Sequence, residues 1–194
     1  MATIISSKTS GVGGLSVTGD ASGILQLASA DGTTAVTIDA SQNVTFAKGL
    51  TVGATAAPAF SATFGSQSLT STVWTLASLS TEEFDTNSNY NNTGATVGGI
   101  PAYAFLPNIA GYYQFNGQMQ LNGSSSGISI EYFKNGSIFK QGPYIPTTLI
   151  APSVAVSALI YLNGTTDYVQ FYIYSGSTTT TNNAFFQAAM IRSA

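Results

Sequence analysis

Neither cysteine nor histidine occurs anywhere in the 194 residues. Their absence excludes disulfide frameworks, thiol nucleophiles, thiolate or imidazole zinc sites and every catalytic triad built on histidine. Charge is nearly as scarce. Lys, Arg, Asp and Glu together make up 7% of the chain, against the usual quarter. A net charge of −3 denies it the basic footprint of a nucleic-acid binder. The low charge also argues against disorder driven by self-repulsion. No apolar run is long enough to cross a bilayer as a helix. The opening Met1-Ala2-Thr3-Ile4-Ile5-Ser6-Ser7-Lys8 lacks the apolar core of a secretory signal. Without such a signal, the Asn-x-Ser/Thr triplets at Asn43, Asn91, Asn122, Asn135 and Asn163 read as turn and strand chemistry rather than glycan acceptors.

What is present alternates. From Gly111 to Leu121, Tyr113, Phe115, Gly117, Met119 and Leu121 share one side of an extended chain. Tyr112, Gln114, Asn116, Gln118 and Gln120 share the other, which is polar yet uncharged. A strand that merely faces water carries Lys and Glu. Amides, in contrast, tolerate contact with another surface when their hydrogen bonds are met. This face reads either as the ordinary solvated face of a charge-poor protein or, the reading favoured here, as a wet face near a subunit contact.

Composition changes near Pro58: Phe46 is the sole aromatic residue before it, and all ten tyrosines follow it. Residues 1–57 hold short alternating runs (24–27, 35–38, 43–46 and 50–52) separated by turn residues. So few large side chains cannot build a core alone, so burial is expected to come from further copies of the chain, as a thin β-rich stalk. Residues 58–194 read as an antiparallel all-β domain, with strands expected at 59–64, 71–78, 102–106, 111–121, 128–133, 137–140, 154–162, 167–174 and 184–192. Asn135-Gly136 supplies the positive φ angles of a type I′ hairpin turn, and Asn163-Gly164 marks another turn. Strand alternation then puts the short turns 107–110, 135–136 and 163–166 at the stalk end. It puts the longer connections 80–99, 122–127, 141–152 and 175–183 at the far end, where recognition loops gather.

Two resemblances follow from these residues. Phe105-x5-Gly111-x-Tyr113-x-Phe115 is similar to the signature of the complement component 1q globular domain, a tumour-necrosis-factor-like jelly roll. Pro58 with Phe60, Phe84-Asp85, Tyr90, Tyr132-x-Lys134-Asn135-Gly136, Tyr161-Leu162-Asn163 and Asp167-Tyr168-Val169 fit in order. Gly117 departs from it, standing where that signature ends in an aromatic residue. Residues 95–104 resemble an insertion, and Phe186-Gln187-Ala188 replaces the usual Phe-x-Gly. Residues 23–28, 34–46 and 49–53 resemble the repeating β segments of bacteriophage fibre proteins. Together the resemblances imply a virion-surface homotrimer: a stalk that joins other virion proteins, and a jelly-roll head displayed for attachment to a host-surface glycan or protein. Release by lysis inside a particle fits the missing signal. A capsid-surface fibre or decoration without receptor role, and a secreted trimeric signalling ligand, are the alternatives.

Chemistry of other kinds finds little footing. Asp85-Thr86-Asn87-Ser88-Asn89-Tyr90 begins like a calcium loop, but Tyr90 sits where glycine is needed and Thr96 where the bidentate glutamate belongs. It reads as an Asx-rich loop. Glu82, Glu83 and Asp85 cluster without a glycosidase arrangement, and the domain adds only Glu131 and Asp167 on separate strands. Gly11-Val12-Gly13-Gly14 lacks the lysine and helix of a phosphate loop. No catalytic residue, metal ligand or cofactor is expected, and neither nucleic acid nor membrane insertion. Tyr90, Asn91, Tyr144, Asn182 and Asn183 are the candidate ligand contacts, as rings and amides suited to stacking on and hydrogen-bonding to sugars.

Overall fold

In the computed structural model the described residues are 24–28, 34–46 and 57–194, and every regular element among them is a β-strand. The chain divides into two compact units, Met1–Ala54 and Thr55–Ala194.

In the first unit, β1 (Leu25–Ala28), β2 (Thr34–Ile38) and β3 (Val44–Phe46) form an antiparallel meander. Asp39 shapes the β2–β3 turn: its Oδ1 accepts the Ser41 and Asn43 amides, both at 2.9 Å, while Gln42 takes φ 67°. Leu25, Leu27 and Val44 stay exposed, as one thin sheet offers nothing to bury them. The run at 50–52 and the glycines at 11–14 lie outside the described residues.

In the second unit two antiparallel sheets pack as a jelly roll. The chain opens with β4 (Ala59–Phe64), then β5 (Ser68–Leu69), β6 (Thr75–Leu76), β7 (Thr81–Asp85) and β8 (Ala104–Phe105). It continues through β9 (Gly111–Leu121), β10 (Ile128–Lys134), β11 (Ser137–Gln141), β12 (Ser153–Leu162), β13 (Val169–Ser175) and β14 (Thr179–Ser193). One sheet runs β12-β9-β14-β4-β7, with β5 also on β14; the other runs β11-β10-β13-β6, with β8 also on β13. Of the strand expected over 71–78 only β6 forms, on β13, while β5 just before it pairs with β14 of the other sheet, because the chain crosses the sandwich edge between them.

The alternation of β9 sets the core. Tyr113, Phe115, Met119 and Leu121 are fully buried, together with Phe60, Phe105, Tyr132, Phe171 and Phe186. Phe186 lies at the centre of an aromatic cluster, near-parallel to Phe171 at 5.5 Å and to Phe115 at 5.7 Å. Offset stacks of this kind contribute about 0.5–1.5 kcal/mol each beyond burial. Gly117 is explained here: a Cβ on it would stand 2.6 Å from Cε2 of Phe171, whose ring reaches across from the facing sheet. The room that an aromatic side chain would need is filled from the other side.

Asn135 (φ 54°) and Gly136 (φ 77°) make the type I′ turn between β10 and β11. Asp167 braces this end, accepting from Asn135 Nδ2 at 2.7 Å and pairing with Lys134 at 2.8 Å.

Candidate interaction surfaces

The wet side of β9 forms the middle of a broad outer sheet face. Gln114, Asn116, Gln118 and Gln120 lie opposite Leu159, Ser157, Ala155 and Ser153 of β12, and opposite Ala189, Gln187, Phe185 and Asn183 of β14. All four amides are half-buried before any partner arrives. Lateral bonds hold them: Gln114 Nε2 donates to Ser157 Oγ at 2.7 Å, and Ser157 Oγ donates to Asn116 Oδ1 at 2.9 Å. Apolar groups stand exposed around them, namely Phe84, Leu159, Tyr112, Tyr161 and Ile191. Two shallow grooves cross the face. One of about 280 Å³ is lined by Phe84, Gln114, Asn116 and Ile191, and one of about 410 Å³ by Ala155, Ser157 and Phe185. Across β9, β12 and β14 this face carries no acidic or lysine side chain.

The candidate contacts are divided between two ends of the sandwich. Turns 107–110, 135–136 and 163–166 lie with Pro58, where Met190 N donates to Pro58 O and Ala194 N to Ala110 O. Loops 122–127, 142–152 and 176–178 lie at the opposite end, tied by Gly176 N to Gly127 O and by Leu121 N to Pro152 O. Connection 80–99 does not stay with them. It contains β7, which pairs antiparallel with β4 and carries residues 86–99 back to the Pro58 end. Thr86 N donates to Ala59 O and Leu106 N to Asn89 O there.

Tyr90 and Asn91 are consequently removed from the ligand contacts. Tyr90 is 6% exposed, stacks on Phe60 at 4.6 Å and donates its hydroxyl to Leu79 O at 2.9 Å. Burial pushes that phenol far above its ordinary pKa, and the charges of Tyr103 and Glu82 add to the shift. Asn91 is 5% exposed and organises its own loop: Nδ2 donates to Ala95, Ile100 and Pro101 carbonyls, while Oδ1 accepts from Thr93. Asp85 behaves as an Asx-turn residue, with Oδ2 accepting Tyr90 N at 2.6 Å and Oδ1 accepting Asn87 N at 3.2 Å.

Asn182 and Asn183 are exposed, but they belong to a strand rather than a loop tip. β14 begins at Thr179 and carries a bulge between Thr181 and Asn183. Both amides donate to Gln120 Oε1, at 2.9 and 3.4 Å. Tyr144 is exposed at the same end, beside the other sheet, where it meets Tyr174 at 6.1 Å. The structure therefore does not gather the five candidates into one site.

Sequence reading missed the outer face of the second sheet. Phe171 and Ile173 point inward, so Tyr172 and Tyr174 of β13 point outward, next to Ser129, Glu131 and Phe133 of β10. Phe133 stacks on Tyr172 at 3.9 Å, and Trp74 meets Tyr174 at 5.2 Å. Glu131, opposite Tyr172, is 3% exposed. Gln141 Nε2 donates to its Oε1 at 2.9 Å, but Oε2 has no partner among the described residues. Burial pushes this carboxyl above its ordinary pKa, against the opposing effect of the Gln141 bond. An isolated glutamate inside the apolar run Ile128–Phe133 was the available signal.

The two-sheet arrangement is that of a complement component 1q-like jelly roll. The globular domain of zebrafish complement 1qA superposes with a TM-score of 0.51 at 15% identity, covering 71% of this chain and 99% of that one. The PRD1 phage vertex protein P5 superposes with a TM-score of 0.55 at 17% identity, covering 70% of this chain and 98% of that one. No protein-family model and no curated protein matches the sequence.

Proposed function

We propose that the chain is the subunit of a short homotrimeric phage fibre or spike, non-enzymatic and exposed on the virion surface. Residues 58–194 form its head, and residues 1–57 form a shared stalk that joins it to other virion proteins. The observation that carries this reading is the outer face of the β12-β9-β14-β4-β7 sheet. Half-buried amides, exposed apolar rings and the lack of acidic or lysine groups across β9, β12 and β14 suit that part of it to burial against a second copy of itself, with the acids of β7 at the sheet edge. The exposed Leu25, Leu27 and Val44 of the N-terminal unit call for burial in the same way. The head's work is attachment to a host-surface glycan or protein, with three copies adding weak contacts by avidity. Likeness to a vertex protein favours a capsid vertex over a tail as the site of attachment.

Light scattering of the full chain is the test of assembly, with three times 20.0 kDa expected. A Gln187→Lys substitution on the sheet face should convert trimer to monomer, because each copy would bury an unpaired ammonium group. A wild-type chain that stays monomeric at micromolar concentration refutes the reading. Attachment is tested separately, by asking whether the purified trimer blocks adsorption of particles to host cells.

A further inference from the structure

The outer face of the β11-β10-β13-β6 sheet takes no part in the self-association described above. Trp74, Tyr174 and Tyr144 form a contiguous run of rings across its distal part, with Trp74 and Tyr174 half-buried and Tyr144 exposed. Beside them, Tyr172 and Phe133 form a stacked pair. Glu131 lies between the two groups, its cross-strand partner being Tyr172 and its diagonal neighbour Tyr174. Such diagonal positions are about 7–8 Å apart, within reach of one sugar residue.

The polar chemistry at the centre is one-sided. Glu131 is nine-tenths buried and more, yet Oε2 accepts no hydrogen bond, and the ion pair among the described residues joins Lys134 to Asp167 instead. A buried carboxylate with one oxygen left without a donor, and with no counter-charge, calls for a ligand group that supplies both. Aromatic faces carry negative potential and add to the attraction for a cation. A neutral hydroxyl would fill the hydrogen bond but leave the charge uncompensated, and an anion would be repelled. Gln141 is the exposed neighbour: among the described residues its side chain is held by one hydrogen bond, the one to Oε1. By swinging aside it can admit a donor to the carboxylate.

We propose that this face is the receptor site of the head, and that it binds an amino sugar, with the ammonium group on Glu131 and the pyranose ring against Trp74, Tyr174 and Tyr144. The inference rests on the reading of the head as an attachment device and names the ligand class for it. Glu131 and Tyr174 are binding residues here, and Gln141 is a gate.

The full-length chain is titrated with a glucosamine tetrasaccharide and with its N-acetylated counterpart. Emission of Trp74, the sole tryptophan, reports occupancy beside the site. Binding of the amine form with a change in Trp74 emission is expected, weakened at least tenfold by N-acetylation and weakened further as salt is raised. Glu131→Gln should reduce binding of the amine form at least tenfold while trimer mass and melting temperature are kept. Tyr174→Ala should weaken both forms together, and it replaces the first variant if Glu131→Gln fails to fold. Equal binding of the two sugars, undiminished binding by Glu131→Gln, or no binding at all overturns the proposal. Cell adsorption separates this failure from that of the underlying reading. If wild type and Glu131→Gln block adsorption equally, attachment stands and this site falls; if neither blocks it, the attachment reading itself fails.

Discussion

Gly117 offers the most direct test of how the two sheets interlock. In Gly117→Ala the new methyl carbon would stand 2.6, 2.9 and 3.2 Å from Cε2, Cζ and Cδ2 of Phe171. Ordinary carbon contacts are about 3.5–4.0 Å, so the ring must retreat by about 1 Å. It has little room, for Phe171 is fully buried, near-parallel to Phe186 at 5.5 Å and tilted against Tyr132 at 5.8 Å. Overpacking of this kind costs about 1–3 kcal/mol. Removing a strand glycine returns about 0.5–1 kcal/mol. A net loss of about 1–2 kcal/mol is expected.

The decisive measurement is the double variant with Phe171→Leu. Alone, Phe171→Leu leaves a partial void and should cost about 1–2 kcal/mol, well under the 3–5 kcal/mol of a full truncation. Combined, the methyl group occupies the space that the ring has vacated, so the two losses should fall short of their sum by about 1 kcal/mol or more. Urea unfolding followed by Trp74 emission reads the cycle. Subunit concentration must be held fixed, since oligomer stability depends on it. Additivity within about 0.5 kcal/mol would refute the account of why a glycine stands at this position.

Two further outcomes are expected. Asn91→Ala removes five side-chain hydrogen bonds that organise residues 93–101; a loss of about 1–2 kcal/mol should appear in the same urea assay, with faster proteolysis of that loop. Burial pushes the Asp167 carboxyl up, but hydrogen bonds from Lys134, Asn135 and the Asn163 amide, together with the Lys134 charge, outweigh it and hold the pKa below 3.8. A depressed native pKa stabilises above the unfolded value and loses its effect as pH falls through the native one. Asp167→Asn should therefore melt lower than wild type at pH 7, and thermal scans should show the gap closing below about pH 3.8.

Much of the second unit was legible because its strongest signals are local. The period of two in β9 fixed its bounds and both of its faces, and Asn135-Gly136 announced its turn through the φ angles that only such residues adopt freely. Strands β7 and the start of β14 were not legible, and for related reasons. Thr81-Glu82-Glu83-Phe84-Asp85 is an edge strand, largely exposed, whose ladder shifts at a bulge opposite Ser61 and Ala62, so its alternation is broken and its acids read as a loop. Missing that one strand put residues 86–99 at the wrong end of the sandwich. In β14, Thr179 and Thr180 pair with Ser68 and Leu69, a partnership more than a hundred residues distant, and the bulge before Asn183 again hides the period.

The misplaced contacts follow from the same limit. Tyr90 and Asn91 sit in a polar, turn-rich sentence of the chain, and their composition matches that of an exposed loop. The burial of Tyr90 depends on Phe60, Leu79, Phe105 and Phe186, which local pattern does not bring near, and Asn91 turns inward to the loop 93–101 that it organises. Charge scarcity also takes on a different sense once the sheets are in place. Across β9, β12 and β14 it leaves no lysine or carboxylate to be stripped of water, which suits these strands to the contact between copies proposed above. On the β13 face the same scarcity leaves Glu131 without a counter-ion, so a single carboxylate dominates the field of an otherwise neutral aromatic surface. One compositional habit thus gives the two sides of the sandwich opposite capacities: one suited to a copy of itself, the other to a cation that the chain does not supply.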